Sequence, residues 1–554
     1  MSVYIEKIEI ALMKIMKNNK LNGSIIIEKT RDSSNGDFST NFAMVNSKIN
    51  NSNPRMLATL IVDELKKEKI FSKVEIAGPG FINMFLNSSL NEEIISEVYS
   101  MGNKYGSFKK RNFKYNLELV SANPTGYLHV GHARNGAIGD SVARILKFAG
   151  YDVETEYYTN DAGNQINISA CTLFFHYKQL LKSPVNKPEE MYGGDMYIEV
   201  AQSLVEKFGD KYIKFNIGTD NKINDEKIHE LFKTESITLF MAAIKQQLIN
   251  FGVGIDLYTS EADMYKNNEI EKTLDIYKKK GKTFEQDGAL WLKTTEFGDD
   301  KDRVLKKSNG DYTYITPDLA CHNVRFKRSK SDKYVNYWGG DHHGYILRIR
   351  SGLALLGHDF NALDIDMIQM VRLMKNGEEF KMSKRKGTAI WLIDLIEMVG
   401  KDSVRYMLLS KTPSSHMDFD LDIAVQKNST NPVYYAQYAT ARSYKILEKA
   451  KEEGWKFNPS SAELLIEQKE KELLILIDSF QKEVAYAADS RLPNVICEYI
   501  QTLSRKFHSY YTETKIFDIE DKELMNQRLN LVSTIYQVLS NSFNLIGISV
   551  INNM

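Results

Sequence analysis

The chain has 554 residues, more than one hydrophobic core organises, so about three or four domains are expected. Its 72 lysines and arginines equal its 72 aspartates and glutamates, which excludes a polycationic tail protein and an acidic disordered chaperone. Hydrophobic residues at 43% and charged residues at 26% are ordinary globular values, which exclude an intrinsically disordered chain. These values predict a soluble multidomain protein.

The cysteines and the N-terminus indicate the compartment. Cys171, Cys321 and Cys497 are scattered and form no Cys-x-x-Cys pair, so neither a disulfide framework nor a thiolate zinc site is predicted. Glu6 and Glu9 fall inside the stretch that a signal peptide keeps apolar. No apolar run approaches the ~20 residues that span a bilayer. We expect a cytoplasmic protein without a membrane partner.

The first hundred residues are predicted to form a small α+β unit. The apolar residues of the opening helix share one face and are Ile5, Ile8, Leu12, Ile15 and Met16. A second helix near Met56–Lys67 is followed by strands at Val74–Ala77 and Phe81–Leu86. The polar, basic segment Gly102–Asn112 is typical of a linker, which gives a first domain of residues 1–108.

From Tyr115 the pattern changes to that of a parallel α/β sheet. The predicted elements are the strand Asn116–Val120, the helix Ala133–Phe148, and the strands Val153–Tyr158, Tyr312–Ile315 and Tyr334–Trp338. Between the two halves, Leu181–Trp291 looks helical and charged, and is predicted to be an insertion that splits the sheet. The domain as a whole is predicted to span residues 112–427.

The last part of the sequence, residues 428–554, is predicted to be a helical bundle. Its predicted helices are Val433–Gly454, Ala462–Asp489, Pro493–Thr512 and Leu524–Leu545. The fold class is therefore α/β, with a split parallel sheet between an α+β N-terminal domain and an all-α C-terminal bundle.

The first motif with chemical meaning is His129-Val130-Gly131-His132, between the first predicted strand and the helix after it. Two imidazoles three residues apart lie on one helix face, beside an N-terminus that attracts anions. Gly131 leaves room for a flat base near the backbone. The motif therefore suits ATP at the carboxyl end of a parallel strand. The alternatives are a solvated loop with two incidental histidines, or half of a metal site.

The second motif is the basic run KMSKRKG at residues 381–387, with four cations in six residues. It suits a mobile phosphate clamp, because nucleotidyl transfer depends on stabilising developing charge. The alternative is a solvated surface loop. Gly281-Lys282-Thr283 resembles the end of a P-loop without its leading glycine, and no Gly-x-Gly-x-x-Gly occurs. P-loop hydrolysis and NAD chemistry are therefore poor explanations.

Polar side chains cluster near the predicted pocket. Glu118 lies on the strand before the loop, Asn123 lies in the loop, and Tyr314 and Asp318 flank the end of a later predicted strand. Two carboxylates and a phenol would form a receptor for a planar guanidinium group. The alternative for each carboxylate is a structural acid with its own partner.

Together the two motifs resemble the HIGH and KMSKS signatures of class I aminoacyl-tRNA synthetases. The blocks VSANPTGYLHVGHARNGAIGD, YYTNDAGNQI, YTYITPDLA, YWGGDHHGY and VRLMKNGEEFKMSKRKG are similar, in the same order, to those of bacterial-type arginyl-tRNA synthetases. GDFSTN and AGPGFINMFL resemble that family's N-terminal domain, and SSHMDFDLD through NPVYYAQYATAR its anticodon-binding bundle. The resemblance covers nearly the whole chain and implies a Rossmann-like catalytic domain.

The resemblance implies roles for the residues of the two motifs. His129 and His132 would hold ATP and stabilise the transition state at the α-phosphate, and Lys381 and Lys384 would clamp the departing pyrophosphate. Further contacts to ATP would come from Gly131, Asp341, His343, Met382 and Ser383. The sequence departs from the class signature at Arg385, where serine is usual, although many bacterial arginyl enzymes resemble it there.

The resemblance also implies an arginine site. Glu118, Tyr314 and Asp318 match the positions that bind the guanidinium group, and Asn123 matches the one that meets the α-amino and carboxylate groups. Gln165 belongs to the same predicted site, and Asp161 lies beside it in a matching block with a less defined role.

The implied reaction has two steps. The carboxylate of arginine attacks the α-phosphate of Mg-ATP to form arginyl-adenylate, and the 2′-hydroxyl of the terminal adenosine of tRNA then accepts the arginyl group. The family usually needs tRNA for the first step, and its precedent is a monomer. In the C-terminal domain Tyr434, Tyr435 and Tyr438 are candidates for stacking on anticodon bases, with core packing as the equal alternative.

Three rival interpretations differ in what they require. A cysteinyl synthetase would need zinc-ligand cysteines, and an isoleucyl or valyl enzyme a large editing insertion. A small-molecule nucleotidyltransferase would not need the N-terminal unit or the long helical C-terminal domain. A non-catalytic RNA-binding paralogue would usually have lost signature residues, whereas both histidines and both lysines are present.

Overall fold

A computed structural model describes residues 2–30, 32–380, 390–517 and 519–554, without the side chains of residues 33 and 341–343. The N-terminal unit contains helices α1 (Val3–Asn18), α2 (Phe42–Asn46), α3 (Pro54–Leu65) and α4 (Asn91–Met101), and strands β1 (Ile27–Lys29), β2 (Phe38–Thr40), β3 (Phe71–Ala77) and β4 (Phe81–Leu86). The strands form an antiparallel sheet in the order β1-β2-β4-β3. The predicted α+β unit is confirmed.

Local sequence signals explain where helices of this unit begin. Asn53 caps α3 by accepting a hydrogen bond from the backbone N–H of Arg55, and Pro54 occupies the first helical position. In α1 the predicted apolar face is buried at Ile8 and Leu12. The helix therefore docks on the rest of the chain.

The central part of the chain begins with β5 (Lys114–Glu118), α5 (Val130–Phe148), β6 (Asp152–Thr159), α6 (Asn164–Leu180), α7 (Met196–Phe208), α8 (Glu226–Phe251), β7 (Leu257–Ser260), α9 (Glu261–Lys266) and α10 (Glu269–Lys279). It continues with β8 (Thr283–Gln286), β9 (Ala289–Leu292), β10 (Arg303–Lys306), α11 (Ile315–Ser329), β11 (Lys333–Gly339), α12 (Ile346–Leu356), β12 (Leu363–Ile368), β13 (Val371–Lys375), β14 (Glu378–Glu379), α13 (Leu392–Val399), α14 (Lys401–Leu409), β15 (Met417–Asp420) and α15 (Leu421–Ala424). Short 3-10 turns occur at Ser33–Asn35, Ser88–Leu90, Gly102–Lys104, Thr294–Phe297 and Gly340–Tyr345.

Five of these strands form one parallel sheet, in the order β12-β11-β5-β6-β7. From β5 the chain adds strands first on one side (β6, β7) and later on the other (β11, β12). The carboxyl ends of β5 and β11 therefore form the switch point where open α/β sheets bind ligands. The remaining central strands form two three-stranded sheets, β10-β9-β8 and β14-β13-β15. The α/β fold class is therefore as the sequence predicts.

Two expectations about the central part are wrong. Tyr312–Ile315 is not a strand: Tyr312 makes an isolated bridge to Lys306, and α11 begins at Ile315. Pro317 fits there because the first helical turn has no use for its missing N–H. Within residues 181–291, α7 and α8 are helical as predicted, but β7 pairs with β6 in the parallel sheet. That strand has only four residues, too few for a clear alternation.

The C-terminal bundle contains α16 (Pro432–Glu452), α17 (Gln468–Ser490), α18 (Asn494–Glu513) and α19 (Lys522–Ile546), as the sequence predicts. One continuous hydrophobic core runs through the N-terminal unit, α5 and this bundle. Two smaller cores lie around α10–α12 and among α6–α8. Within the described ranges, no helix has both the length and the apolar character that crossing a membrane requires.

Candidate active site

The main cavity lies at the carboxyl ends of the parallel strands and has a volume of about 750 Å³. The loop after β5 and the start of α5 form one wall, and the start of α11 and the end of β11 form the other. Its lining includes three carboxylates, on Glu118, Glu261 and Asp318, and no lysine or arginine among the residues that the structure describes. The end of the cavity that these carboxylates line favours a cation.

The histidine motif lies where α5 begins. His129 is the N-cap residue of α5, and its Nδ1 accepts a hydrogen bond from the backbone N–H of Gly131 at 3.0 Å. The backbone N–H of His129 donates in turn to Nδ1 of His132 at 3.3 Å. The two rings stack with centroids 3.7 Å apart. A Cβ atom at Gly131 would lie 2.9 Å from Cε1 of His129, so this glycine makes space for that ring.

These contacts fix the protonation of both rings. A nitrogen that accepts a hydrogen bond carries no proton, so each neutral ring has its proton on Nε2. Burial lowers the pKa of His129, and burial together with His129 lowers the pKa of His132 to about 3. Both rings are therefore neutral N–H donors near pH 7, at a helix N-terminus that attracts anions.

The residues that follow the basic motif in the chain pair with the histidine motif. The predicted site residues Lys381, Met382, Ser383 and Lys384 lie outside the described residues. Immediately after that segment, Trp391 forms a bridge with His129. Backbone hydrogen bonds join residues 390 and 130 at 3.3 Å and residues 392 and 128 at 2.6 Å. Before it, strand β13 begins at the cavity wall.

The predicted guanidinium ligands meet at the other end of the cavity. Glu118 ends β5, and its carboxylate accepts hydrogen bonds from Ser121 Oγ at 3.0 Å and from Arg325 Nη1 at 3.1 Å. Asp318, in the first turn of α11, accepts from the Tyr345 hydroxyl at 2.7 Å. Tyr314 also lines the cavity, with 92% of its surface exposed. The structure brings together all three predicted ligands.

The amide pair lies at the cavity rim. Nδ2 of Asn123 donates to Oε1 of Gln165 at 2.7 Å, and Nε2 of Gln165 donates to Oδ1 of Asn160 at 2.7 Å. Asn123 lines the cavity, whereas Gln165 stands behind it as support. Asp161 has a different role: its carboxylate accepts from Ser260 Oγ at 2.7 Å and from the backbone at residue 262 at 2.8 Å. It fixes the start of α9.

Two predicted ATP contacts follow β11 directly. Asp341 and His343 lie in the 3-10 turn Gly340–Tyr345 directly after β11, and their side chains fall outside the described part of the chain. No cluster of three or more His, Cys, Asp or Glu side chains suited to a metal ion occurs among the described residues.

Sequence reasoning missed Glu261 and Arg325. Glu261 is 9% exposed and follows β7, so recognising that strand in residues 181–291 would have placed it at the carboxyl edge of the sheet. Burial, with Asp318 and Asp161 nearby, raises the pKa of Glu261 to about 7. Arg325 has no local signal, because its partner Glu118 is 207 residues away.

Comparison with known proteins agrees with this geometry. Residues 2–86 match the arginyl tRNA synthetase N-terminal domain, residues 94–437 the catalytic domain of the class I tRNA synthetases (R), and residues 436–554 the DALR anticodon-binding domain. The chain belongs to the arginyl-tRNA synthetase family. As a member of that family it is an arginine–tRNA ligase of class I, and the predicted identity and enzyme class are confirmed.

The similarity to known arginine–tRNA ligases covers nearly the whole chain. The chain is 51% identical to the arginine–tRNA ligase of Mesoplasma florum over 98% of both chains. It is 41% identical to that of Bacillus subtilis over 95% of this chain and 94% of the relative. The Thermus thermophilus arginyl-tRNA synthetase structure has the same fold, with a TM-score of 0.73, 20% identity, and coverage of 99% of this chain and 100% of that one.

Proposed function

We propose that the cavity binds ATP at its histidine end and arginine at its acidic end, and joins them as arginyl-adenylate. The observation that carries the proposal is that His129, His132 and the carboxylates of Glu118, Glu261 and Asp318 line one cavity of about 750 Å³. Carboxylates match the planar fork of a guanidinium group. Neutral N–H donors at a helix N-terminus suit the phosphate of a nucleotide.

The first step is an in-line substitution at the α-phosphorus. A carboxylate oxygen of arginine attacks this phosphorus in Mg-ATP, the bond to the bridging oxygen of the β-phosphate breaks, and pyrophosphate leaves. Nε2–H groups of His129 and His132 would donate to the α-phosphate oxygens, where negative charge accumulates. Lys381 and Lys384 would neutralise the departing pyrophosphate, and Mg²⁺ enters as part of the ATP substrate.

The second step transfers the arginyl group. The 2′-hydroxyl of the terminal adenosine attacks the carbonyl carbon of the adenylate, the bond to the phosphate oxygen breaks, and AMP leaves. In both steps Glu118, Tyr314 and Asp318 would hold the guanidinium group, while Asn123, supported by Gln165, would meet the α-amino and carboxylate groups. The proposed ATP contacts are Gly131, Asp341, His343, Met382 and Ser383.

For tRNA, we propose that an exposed aromatic surface on α16 takes part in anticodon binding. Tyr438 is 37% exposed and stacks on Tyr434 with ring centroids 6.2 Å apart. The guanidinium of Arg442 lies 4.6 Å from the Tyr438 ring centroid and 4.2 Å from that of Tyr511. Aromatic and guanidinium planes of this kind stack with unpaired bases. Tyr435 is half-buried against His508, which favours packing for this residue.

The remaining parts of the proposal follow the family resemblance. The domains would be residues 1–108 for the outer corner of tRNA, residues 112–427 for catalysis and residues 428–554 for the anticodon. Adenylate formation would depend on bound tRNA. The enzyme would act as a cytoplasmic monomer.

Two measurements test the arginine site. Bulk bacterial tRNA is charged with each labelled amino acid in turn, and only arginine is expected to be transferred. Glu118→Gln keeps the side-chain shape but removes its charge, so the KM for arginine is expected to rise about 10- to 100-fold, the loss typical of a hydrogen bond to a charged group. The KM for ATP should change less than about twofold, because the histidine end is untouched.

The matched control is Asp311→Asn. Asp311 is an exposed acid shortly before α11 that bonds Asn309 and does not line the cavity, so this variant should behave like the wild type. Transfer of another amino acid would contradict the proposed function. An unchanged arginine KM in Glu118→Gln would contradict the proposed role of Glu118.

A further inference from the structure

We propose that Arg325 is a positioning residue for substrate recognition: its buried guanidinium holds the Glu118 carboxylate in the orientation that receives the guanidinium group of arginine. The inference rests on the proposed role of Glu118. Arg325 lies on α11 behind the cavity wall and does not line the cavity, so it acts on the substrate only through Glu118.

The position of Arg325 is set independently of Glu118. Its Nε donates to Oδ1 of Asn116 at 2.6 Å, and its Nη2 donates to the Asn116 carbonyl oxygen at 3.2 Å. Nη1 donates to Oδ1 of Asn336 at 2.6 Å. Asn116 and Asn336 belong to the neighbouring strands β5 and β11, and the side chain of Arg325 is 2% exposed. Side chains and backbone of two strands therefore fix the orientation of the guanidinium group, and its Nη1 donates a hydrogen bond to Glu118.

The second oxygen of Glu118 is held from the other side. Ser121 Oγ donates to Oε1 of Glu118 and accepts from the backbone N–H of Tyr158 at 3.1 Å. Val120 and Ser121 have φ angles of 65° and 45°, which are unfavourable for residues with a side chain, above all a β-branched one. The strained turn is what carries the Ser121 hydroxyl back to the carboxylate.

Counting hydrogen bonds shows what Glu118 can still accept. An ionised carboxylate oxygen accepts about two hydrogen bonds. Among the described residues, Arg325 occupies one position on Oε2 and Ser121 one on Oε1, which leaves one position on each oxygen for the cavity. Two parallel N–H donors of a guanidinium group need one acceptor position on each oxygen. The support on both sides thus leaves the pair of acceptors that a bidentate substrate contact requires.

Arg325 also offsets the negative charge around this carboxylate. The charged and titratable groups that interact electrostatically with Glu118 include Glu156 and Tyr158 on β6 and Asp318, Cys321 and Arg325 on α11, while Glu261 on α9 and His322 on α11 line the same cavity. Burial raises the pKa of Glu118. The negative charges of Glu156 and Asp318 raise this pKa further, whereas the positive charge of Arg325 and the hydrogen bond from Ser121 lower it. Without the arginine charge, Glu118 would ionise only at higher pH.

Two substitutions separate orientation from charge. Arg325→Lys keeps the positive charge but loses the planar set of N–H donors of the guanidinium group. Arg325→Gln loses both the charge and this set of donors. In the full chain, with tRNA present, both should raise the KM for arginine about 10- to 100-fold and leave the KM for ATP within about twofold. In Arg325→Gln, the ratio of the arginine KM to that of the wild type should fall as the pH rises, because Glu118 then ionises. In Arg325→Lys this ratio should stay flat.

The controls keep the outcome interpretable. Arg405→Lys alters another fully buried arginine, which pairs with Asp140 at 2.6 Å and does not line the cavity. This variant should leave both KM values within about twofold of the wild type. Ser121→Ala releases the other oxygen of Glu118 without disturbing Arg325. It should raise the arginine KM about threefold to tenfold even if the Arg325 variants do not fold.

Three results would overturn the proposal. Folded Arg325 variants with a wild-type arginine KM would show that Glu118 needs no such support. Equal increases of the KM values for arginine and ATP would show a general structural role. If the Arg325 variants do not fold, an unchanged arginine KM in Ser121→Ala would contradict the proposal. A wild-type enzyme that fails to charge tRNA with arginine would instead contradict the proposed function itself.

Discussion

Arg405 on α14 joins the catalytic domain to the C-terminal bundle, so its loss should cost measurable stability. Its side chain is fully buried, and Nη2 donates to Asp140 on α5 at 2.6 Å. Nε donates to the carbonyl oxygen of Ile546 and Nη1 to that of Phe251, both at 3.1 Å. These carbonyls are the last of α19 and α8, where a helix lacks intrahelical donors. A Cβ at Gly547 would lie 2.4 Å from Arg405, so the glycine gives it space.

The expected cost follows from what Arg405→Met leaves behind. Removing one partner of a buried ion pair typically costs about 3–5 kcal/mol. Arg144 still donates to Asp140 at 2.7 Å, so the lower end of the range, about 3 kcal/mol, is expected. The measurement is urea unfolding of the full-length variant followed by circular dichroism. The unfolding step that includes α5 and α19 should move to lower urea concentration.

A double-mutant cycle tests the reasoning behind this magnitude. Asp140→Asn removes the charge that Arg405 pairs with, so the double variant should lose less stability than the sum of the two single variants, by about 1–3 kcal/mol. Additive losses, or a loss below about 1 kcal/mol in Arg405→Met, would refute the assignment of a buried ion pair that ties the domains together.

Three further predictions concern other parts of the molecule. Asp478 on α17 accepts hydrogen bonds from Ser2 Oγ and from the backbone N–H groups of Val3 at 2.6 Å and Tyr4 at 3.2 Å, so Asp478→Ala should weaken docking of α1 by about 2 kcal/mol and speed proteolysis of the N-terminal unit. An unchanged cleavage rate would contradict this contact. His132→Ala should lower the rate of ATP–pyrophosphate exchange by about 10²- to 10³-fold with tRNA affinity retained, whereas equal losses of rate and affinity would indicate misfolding. Because the folded pKa of Glu261 is raised to about 7, its ionised form increases as the pH rises through 7, so kcat/KM for arginine should rise there and Glu261→Gln should flatten the profile. The same raised pKa lowers the stability of the ligand-free fold progressively as the pH rises from 4.5, the usual value for glutamate, to about 7, because ionising the buried carboxyl costs more than ionising it in the unfolded chain.

How far the sequence predicts the molecule depends on how local each signal is. The start of α5 was predictable because His129 and His132 are neighbours on one helical turn. The C-terminal helices were predictable because their apolar periodicity extends over 20 or more residues each. β7 was missed because four residues between helices give no periodicity, and Glu261 was missed with it. The contact of Arg325 with Glu118 depends on two strands meeting in the sheet, which no local pattern encodes.

The structure adds a spatial relation between motifs that the sequence presents singly. A lone pair of histidines was compatible with a solvated loop, but in the structure both rings line the cavity that also holds Glu118 and Asp318. Glu118 was interpreted either as a ligand of a guanidinium group or as a structural acid with its own partner, and its contacts are compatible with both. It has structural partners in Ser121 and Arg325, and it still faces the cavity.

The most direct test of the account is ATP–pyrophosphate exchange with arginine, measured once without tRNA and once with bulk bacterial tRNA. The account predicts arginine-dependent exchange, and it predicts that this exchange appears only when tRNA is present. Exchange without tRNA would contradict the proposed coupling of tRNA binding to adenylate formation. No arginine-dependent exchange under either condition, with folded protein, would contradict arginine activation in this cavity.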